Sequence, residues 1–401
     1  MITIDLNDIA KRLPHLESFS DYWLFRANGG EFFTDFRLNN YVGISWNEVS
    51  LEDISKCNNS VDELKRLLYS LDKDNKNNNS EISNQNEELD LFKLLEGVDS
   101  PAISDTIPRK IGNAASQLLR FVNDIKVNDT VIVPSKNSET LLVGKVTGKP
   151  YEVKDIESIN LLDSDLSYKH SEYVKRIPVK WIGSFQRNEA DANLYKLIYS
   201  QHTINNANDY KDIINRALFD AYILDDSELH LTYHVNRESE IPLKALGQFV
   251  SYYSELYETL ADDSSMKIKI NVQSPGPVES TTRRITGCLA AFAATAIIST
   301  AIYTGGSYSL KVGGFEININ NNSFASEQRK NKKSEENLQQ QKLDNLANRE
   351  ERAYELAMKL KAPISELNLG LPKKAEKALQ DSLNANPEYR KSLEEQGRNN
   401  Q

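Results

Sequence analysis

The chain of 401 residues carries 39% hydrophobic and 26% charged residues, a net charge of −10 and a mean hydropathy of −0.55. That length has room for two or three domains with sizeable cores, and the polar balance points to loops or tails beside them. The acidic total argues against a global basic field for nucleic acid, leaving only a local basic face, and the distant pair Cys57 and Cys288 argues against a disulfide framework or a cysteine-based zinc site.

Met1 to Arg12 spreads its charges and has no apolar h-region, so no secretory signal is expected and a cytoplasmic setting follows. Trp23-Leu24-Phe25-Arg26 is a short apolar run, and Gly29-Gly30 gives a turn before Phe32, Phe33 and Phe36. Tyr41 to Trp46 reads as a strand whose alternation leaves Trp46 either in the core or lining a groove at the strand end. Val49 to Leu71 is helical in two pieces. Asp72 to Glu88 is a polar insertion with too little apolar surface for a core.

Leu89 to Leu95 resumes the apolar pattern, and Ala114 to Ile125 sets Leu118, Leu119, Val122 and Ile125 at helical spacing. Asp129 to Pro134 and Val143 to Gly148 are rich in β-branched residues and flank the polar Ser135 to Thr140. They predict adjacent antiparallel strands. Ile177 to Trp181 is a returning strand. Leu194 to Tyr199 is a further apolar run, Tyr210 to Leu224 reads as an amphipathic helix, and a domain boundary is expected between His202 and Asp212.

A second unit opens with the alternating strand Glu228 to Val235 and a broad-faced helix over Leu243 to Ala261. Met266 to Val272 alternates as a strand with one wet face, broken by Ser274-Pro275-Gly276-Pro277. Ile285 to Tyr303 has no formal charge, follows Arg283 and Arg284, and is rich in Ala, Thr, Ser and Gly. Its length nearly suits a bilayer and its small residues suit close helix packing, so it reads either as a membrane contact or as a buried or oligomer-forming helix. Tyr308 to Ile319 is a hairpin-like pair. Beyond Ala325 the chain is mostly charged and amide residues, including Lys330, Lys332 and Lys333, with a thin apolar stripe over Glu335 to Lys361 ended by Pro363.

The motifs of nucleotide and metal enzymes are missing: no Walker loop, no glycine-rich dinucleotide turn after a strand, no paired-histidine metalloprotease helix. His230 and His234 share a strand face without a third ligand. Glu152-Val153-Lys154 has the letters of a metal-dependent nuclease strand without an upstream acidic partner. No catalytic residue, cofactor or metal is assigned, and a non-enzymatic role is expected.

Trp23 to Arg26, Gly29-Gly30, Phe32-Phe33, Phe36, Val42 to Trp46, Gln117, Arg120-Phe121, Asp129 to Pro134, Gly144 to Gly148, Tyr151 and Val179 to Ile182 occur in an order that resembles the PUA/EVE-like module of modification-dependent restriction and related bacterial defence proteins. The resemblance covers residues 1–205. It implies a small β-barrel whose pocket accepts a flipped or modified base or a nucleotide-like ligand, with Trp46, Tyr151 and Trp181 as pocket aromatics and Arg26 and Lys145 as phosphate or edge contacts. Lys149-Pro150 and the polar His170 to Lys175 depart from the pattern.

The expected architecture is therefore α+β in three parts: a PUA/EVE-like sensor at 1–205 with the insertion 72–88, a smaller α+β domain at 213–325 holding the apolar helix 285–303, and a charged helical or disordered tail at 326–401. The expected function is a bacterial antiviral-defence sensor and effector. It would bind nucleic acid, a modified base or a nucleotide-like ligand, and act by inner-membrane association or as a homo-oligomer. The alternative is an adaptor that recruits a separately encoded nuclease through the tail.

Overall fold

A computed structural model describes residues 2–78, 103–154, 168–200, 202–270, 276–300, 307–312, 315–320, 337–391 and 393. The insertion from residue 79 onward, the run Leu89 to Leu95, the end of the uncharged stretch and Lys330, Lys332 and Lys333 lie outside these. The protein is a mixed α+β fold with a curled half-barrel sheet. It divides into two compact units: Phe19–Leu218, and Met1–Ser18 together with Phe219–Gln401.

This division departs from the three-part layout read from the sequence. The N-terminal residues belong with the C-terminal ones because β1 (Ile2–Ile4) pairs in parallel with the strand Ser307–Val312, and β2 (His15–Leu16) with Ala221–Leu224. Between them α1 (Leu6–Arg12) starts on Asp5, whose carboxylate accepts from the backbone N–H groups of Asn7 and Asp8. It buries Leu6 and Ile9 in the core of that unit.

The Phe19–Leu218 unit is built on strands β3 (Tyr22–Phe25), β4 (Tyr41–Ile44), β5 (Thr130–Pro134), β6 (Thr140–Val146), β7 (Tyr151–Glu152), β8 (Lys175–Gln186) and β9 (Ile204–Asn206). Their order is β4-β8-β6-β5-β3-β9, with β7 paired to β8. The small barrel implied by the resemblance is here a half-barrel, because β4 and β9 end the ladder without pairing to each other among the described residues. The hairpin expected at Asp129 to Gly148 is present as antiparallel β5 and β6.

Alternation along these strands makes two apolar layers. Val131, Val133, Leu142, Val146 and Val179 join one core with α2 (Phe33–Asn39), α3 (Leu51–Lys56), α4 (Val61–Asn78) and α5 (Ile103–Leu119). Ile132, Leu141, Val143 and Phe185 face the other way, toward α6 (Leu194–Ile198) and α7 (Lys211–Leu218). The helix expected over Tyr210 to Leu224 stops at Leu218. Ala221–Leu224 is instead strand β10, which pairs antiparallel with β11 (Glu228–Val235).

The second unit adds α8 (Leu243–Ala261), β12 (Lys267–Ile270), β13 (Gly276–Thr282), α9 (Ile285–Ser299), β14 (Ser307–Val312), β15 (Phe315–Asn320), α10 (Asn337–Glu366), β16 (Leu369–Gly370) and α11 (Lys373–Ala385). β12, β13, β11, β10 and β2 form one sheet with β16 off β11, and β1, β14 and β15 form another. The uncharged stretch is α9, and Gly287 through Ile298 are all buried against α1, α8, α10 and β14. A helix apolar all round is suited to burial on every side. A Cβ on Gly287 would come within 2.4 Å of the Ala261 Cβ, so the small residues serve close packing inside the unit.

The 15 residues of α9 rise about 22 Å, short of the about 30 Å of a bilayer core. Among the described residues no helix is long and apolar enough to cross a membrane. The expected polar tail is also core. Ala353, Leu356, Leu360, Leu367, Ala375, Leu379 and Leu383 are buried in the same cluster as α9. Pro363, expected to end the helix, lies within its last turns, where its missing N–H falls inside α10 and Leu367 N–H bonds the Pro363 carbonyl at 2.9 Å.

Candidate functional site

β8 and β6 are antiparallel, but the register slips between Val143 and Gly144: Val143 faces Gly183 while Gly144 faces Trp181, leaving Ile182 as an extra residue. Such a bulge bends the strand and re-aims side chains. Here it brings Trp181, Ile182 and Ser184 to line one groove. The Trp181 indole lies over Gly144, where a Cβ would come within 2.6 Å of Trp181 Cε3 and 2.4 Å of Val179 Cγ1. Its Nε1–H donates to the Phe36 carbonyl at 3.1 Å, which fixes the ring against α2.

α2 lines the groove beside the indole. Its buried side is anchored by Asp35, whose carboxylate accepts from the Tyr41 hydroxyl, from Asn39 Nδ2 at 2.8 Å and from the Ser171 N–H at 3.0 Å, with His170 Nδ1 at 3.2 Å. Burial, followed by the bond to Asp35, pushes the Tyr41 hydroxyl pKa far up, so it stays a neutral donor. Phe33 and Arg37, one helical turn apart, then present the other side of α2 to the groove. Asn40 ends the helix in the left-handed region at φ 56°.

The groove has a volume of ≈ 530 Å³ and is lined by Phe33, Arg37, Thr140, Leu142, Trp181, Ile182, Gly183 and Ser184. It joins two rings, an aliphatic floor, two hydroxyls and a guanidinium. Arg37 is exposed and makes no hydrogen bond or ion pair among the described residues. An arginine that neutralises nothing beside a half-buried tryptophan offers a flat stacking surface and an anion fork together.

The other candidate residues lie elsewhere. Arg26 spends its guanidinium on the C-terminal carbonyls of α6, donating through Nε to Ser200 O at 3.0 Å and through Nη2 to Ile198 O and Ser200 O. Lys145 Nζ donates to Asn128 O at 3.0 Å and Ser20 Oγ at 3.3 Å, 5.9 Å from the centre of the Tyr22 ring. Tyr151, exposed, pairs with Arg176 near the start of β8, and Trp46 follows β4, whose Ile44 pairs with Lys175. Lys175 to Trp181 spans about 20 Å of strand, so Trp46 and Tyr151 stand at one end and Trp181 toward the other.

Phe33, Arg37, Thr140 and Ser184 escaped the sequence reading. The i, i+4 pairing of a ring and a cation is the available signal, and the reading of a turn at Gly29-Gly30 before Phe32, Phe33 and Phe36 assigns no helix there. Glu152, the nuclease-like carboxylate, accepts from the Leu51 N–H at 2.7 Å and so sits at the N-terminus of α3. His230 is buried, with Nδ1 bound to Glu279 Oε1 at 2.9 Å and to the Tyr222 hydroxyl at 3.1 Å. Among the described residues no group of three or more His, Cys, Asp or Glu is placed to hold a metal ion.

Fold and groove together define an α+β chain whose half-barrel unit carries an open groove lined by aromatic and cationic side chains. A family model described as a domain of unknown function, DUF8426, matches residues 23–208, which fall inside that same unit. No curated protein and no solved structure matches the chain significantly.

Proposed function

We propose that the Phe19–Leu218 unit is a sensor for nucleic acid, a modified base or a nucleotide-like ligand, in the setting of antiviral defence that the PUA/EVE-like resemblance implies. The observation that carries the reading is the bulge-aimed Trp181 sharing one groove with Phe33 and the unpaired Arg37. A base stacks on Trp181, its phosphate meets Arg37, and Thr140 and Ser184 offer hydroxyls to the ring edge. The second unit supplies the output through self-assembly or a docked partner. The lipid route has no supporting element, since α9 is enclosed. Recruitment of a separate nuclease is the alternative output, favoured by a sheet edge in that unit that is unpaired among the described residues.

The test is titration of the full chain with a labelled single-stranded oligonucleotide, the matching duplex, ATP and inorganic phosphate. Trp181→Ala is expected to weaken binding by about 1–3 kcal/mol, roughly ten- to hundredfold. Arg37→Gln is expected to weaken it about tenfold and to flatten its salt dependence. Circular dichroism checks that both variants fold. Binding by neither nucleotide nor oligonucleotide, or affinities untouched by both substitutions, would sink the reading.

A further inference from the structure

The longer sheet of the second unit ends in β12, Lys267-Ile268-Lys269-Ile270, which pairs only with β13 among the described residues. All of its residues are exposed, including Ile268 at 39% and Ile270 at 37%. Period-two alternation puts both isoleucines on one strand face and both lysines on the other. A free edge with aliphatic side chains in water is a ready template for one more strand.

The charges say which strand. Lys269 stands directly across from Glu279 of β13, a buried carboxylate, so the lysine face already meets acid on its inner side. Pairing with a second copy in a register that keeps the isoleucines together would set lysine against lysine, and like charges directly opposite are destabilising. Acidic residues at those positions reverse the sign, and aliphatic residues on the alternate positions cover Ile268 and Ile270.

We infer that β12 docks an extended segment of a partner protein in which acidic and aliphatic residues alternate. The main chain of the segment supplies the ladder hydrogen bonds, and the alternation selects both partner and register. This surface lies in a different unit from the Trp181 groove and stands or falls independently of it.

The experiment uses the full chain with a synthetic peptide of alternating Glu and Leu, its Lys and Leu counterpart, and the acidic peptide broken by a central proline. The acidic peptide is expected to bind saturably and to protect the amides of Ile268 and Ile270 from hydrogen exchange, and the proline version to fail. Because Lys267 is exposed and stands across from Thr281 rather than Glu279, the variant K267E keeps its fold. It is expected to bind the acidic peptide about tenfold more weakly and to gain affinity for the lysine peptide. Equal binding by K267E, or no saturable binding, overturns the proposal. So does a dimer that Ile268→Lys returns to monomer, which would make a second copy the occupant.

Discussion

Lys175 is fully buried at the start of β8, and its Nζ donates to the Trp46 carbonyl at 2.5 Å and to the Val49 carbonyl at 2.8 Å. The two bonds close the turn in which Trp46 adopts φ 65°, a conformation that costs a residue other than glycine roughly 1–2 kcal/mol. Burial pushes the Lys175 pKa down, so the amine is held there by its partners against the cost of desolvation. Lys175→Met keeps the stem but orphans both carbonyls. It is expected to cost about 1–3 kcal/mol in urea denaturation. Trp46 emission should shift to the red, while ligand affinity at the distant Trp181 groove stays unchanged.

Gly144→Ala tests the groove from beneath. The new methyl meets Trp181 Cε3 and Val179 Cγ1, both far inside contact distance, so the indole must tilt off its seat. Overpacking of this kind costs about 1–3 kcal/mol. The expected result is a weaker Nε1 bond to Phe36, read as an altered Trp181 fluorescence, together with a loss of ligand affinity that Gly29→Ala does not produce. Gly29 is the control for stability loss alone: a Cβ there meets nothing within 4 Å, and its φ of 63° costs a residue other than glycine about 1–2 kcal/mol.

Ile298 distinguishes core from lipid. It is 4% exposed in the cluster that joins α8, α9 and α10. Ile298→Val is expected to cost about 0.5–1.5 kcal/mol by calorimetry or denaturant. Ile298→Asp places a carboxylate in that core and is expected to abolish the folding of the unit. Carbonate extraction should release the unmodified chain from membranes; resistance to carbonate would contradict the core assignment.

Alkali should destabilise the second unit. Burial raises the pKa of the Tyr257 and Tyr308 hydroxyls to about 12, and that of the Cys288 thiol to about 12. Groups raised above their unfolded values of about 10 for tyrosine and about 8.5 for cysteine stabilise the fold below those values. That contribution is lost as pH rises toward about 12, because the unfolded chain releases its protons first. Denaturant midpoints are expected to fall steadily above about pH 9. A thiol reagent should leave Cys288 untouched until the unit opens.

Removing residues 335–401 is a direct test of the C-terminal segment. As a free docking tail, it would leave the rest folded. As core, its loss strips Leu356, Leu360, Leu379 and Leu383 from the cluster around α9. The truncated chain is expected to lose one of two cooperative unfolding transitions and to expose apolar surface to dye.

Three strand readings from sequence hold: β5 from its run of β-branched residues, β11 from its alternation, and the pair β14 and β15 from its hairpin-like pattern. So does the helix reading of α8, whose apolar face repeats at helical spacing over Leu243–Ala261. The failures share a cause. α2 has no capping side chain at its start, and its aromatic residues divide between the core and the groove, so no single stripe announces a helix. β10 continues the apolar pattern of α7 and becomes a strand by pairing with β11 on one side and β2 on the other. In α10 and α11 much of the buried face is alanine, including Ala353, Ala357, Ala375 and Ala378, which a scan for large aliphatic residues passes over. The site was legible only at Trp181. The bulge that aims it depends on the pairing partner of β8, which its own residues do not reveal.

The pairing of Ile2 with Tyr308 sets an order of events during synthesis. The strand Ile2–Ile4 leaves the ribosome long before its partner at Ser307–Val312 exists, whereas the Phe19–Leu218 unit has all of its described strands in hand once Leu218 is made. That unit is free to fold first, and once folded it shortens the loop that β1 must close. A variant that merely delays the folding of the half-barrel would therefore strand an unpaired β1 and surface as misassembly of a unit it does not belong to.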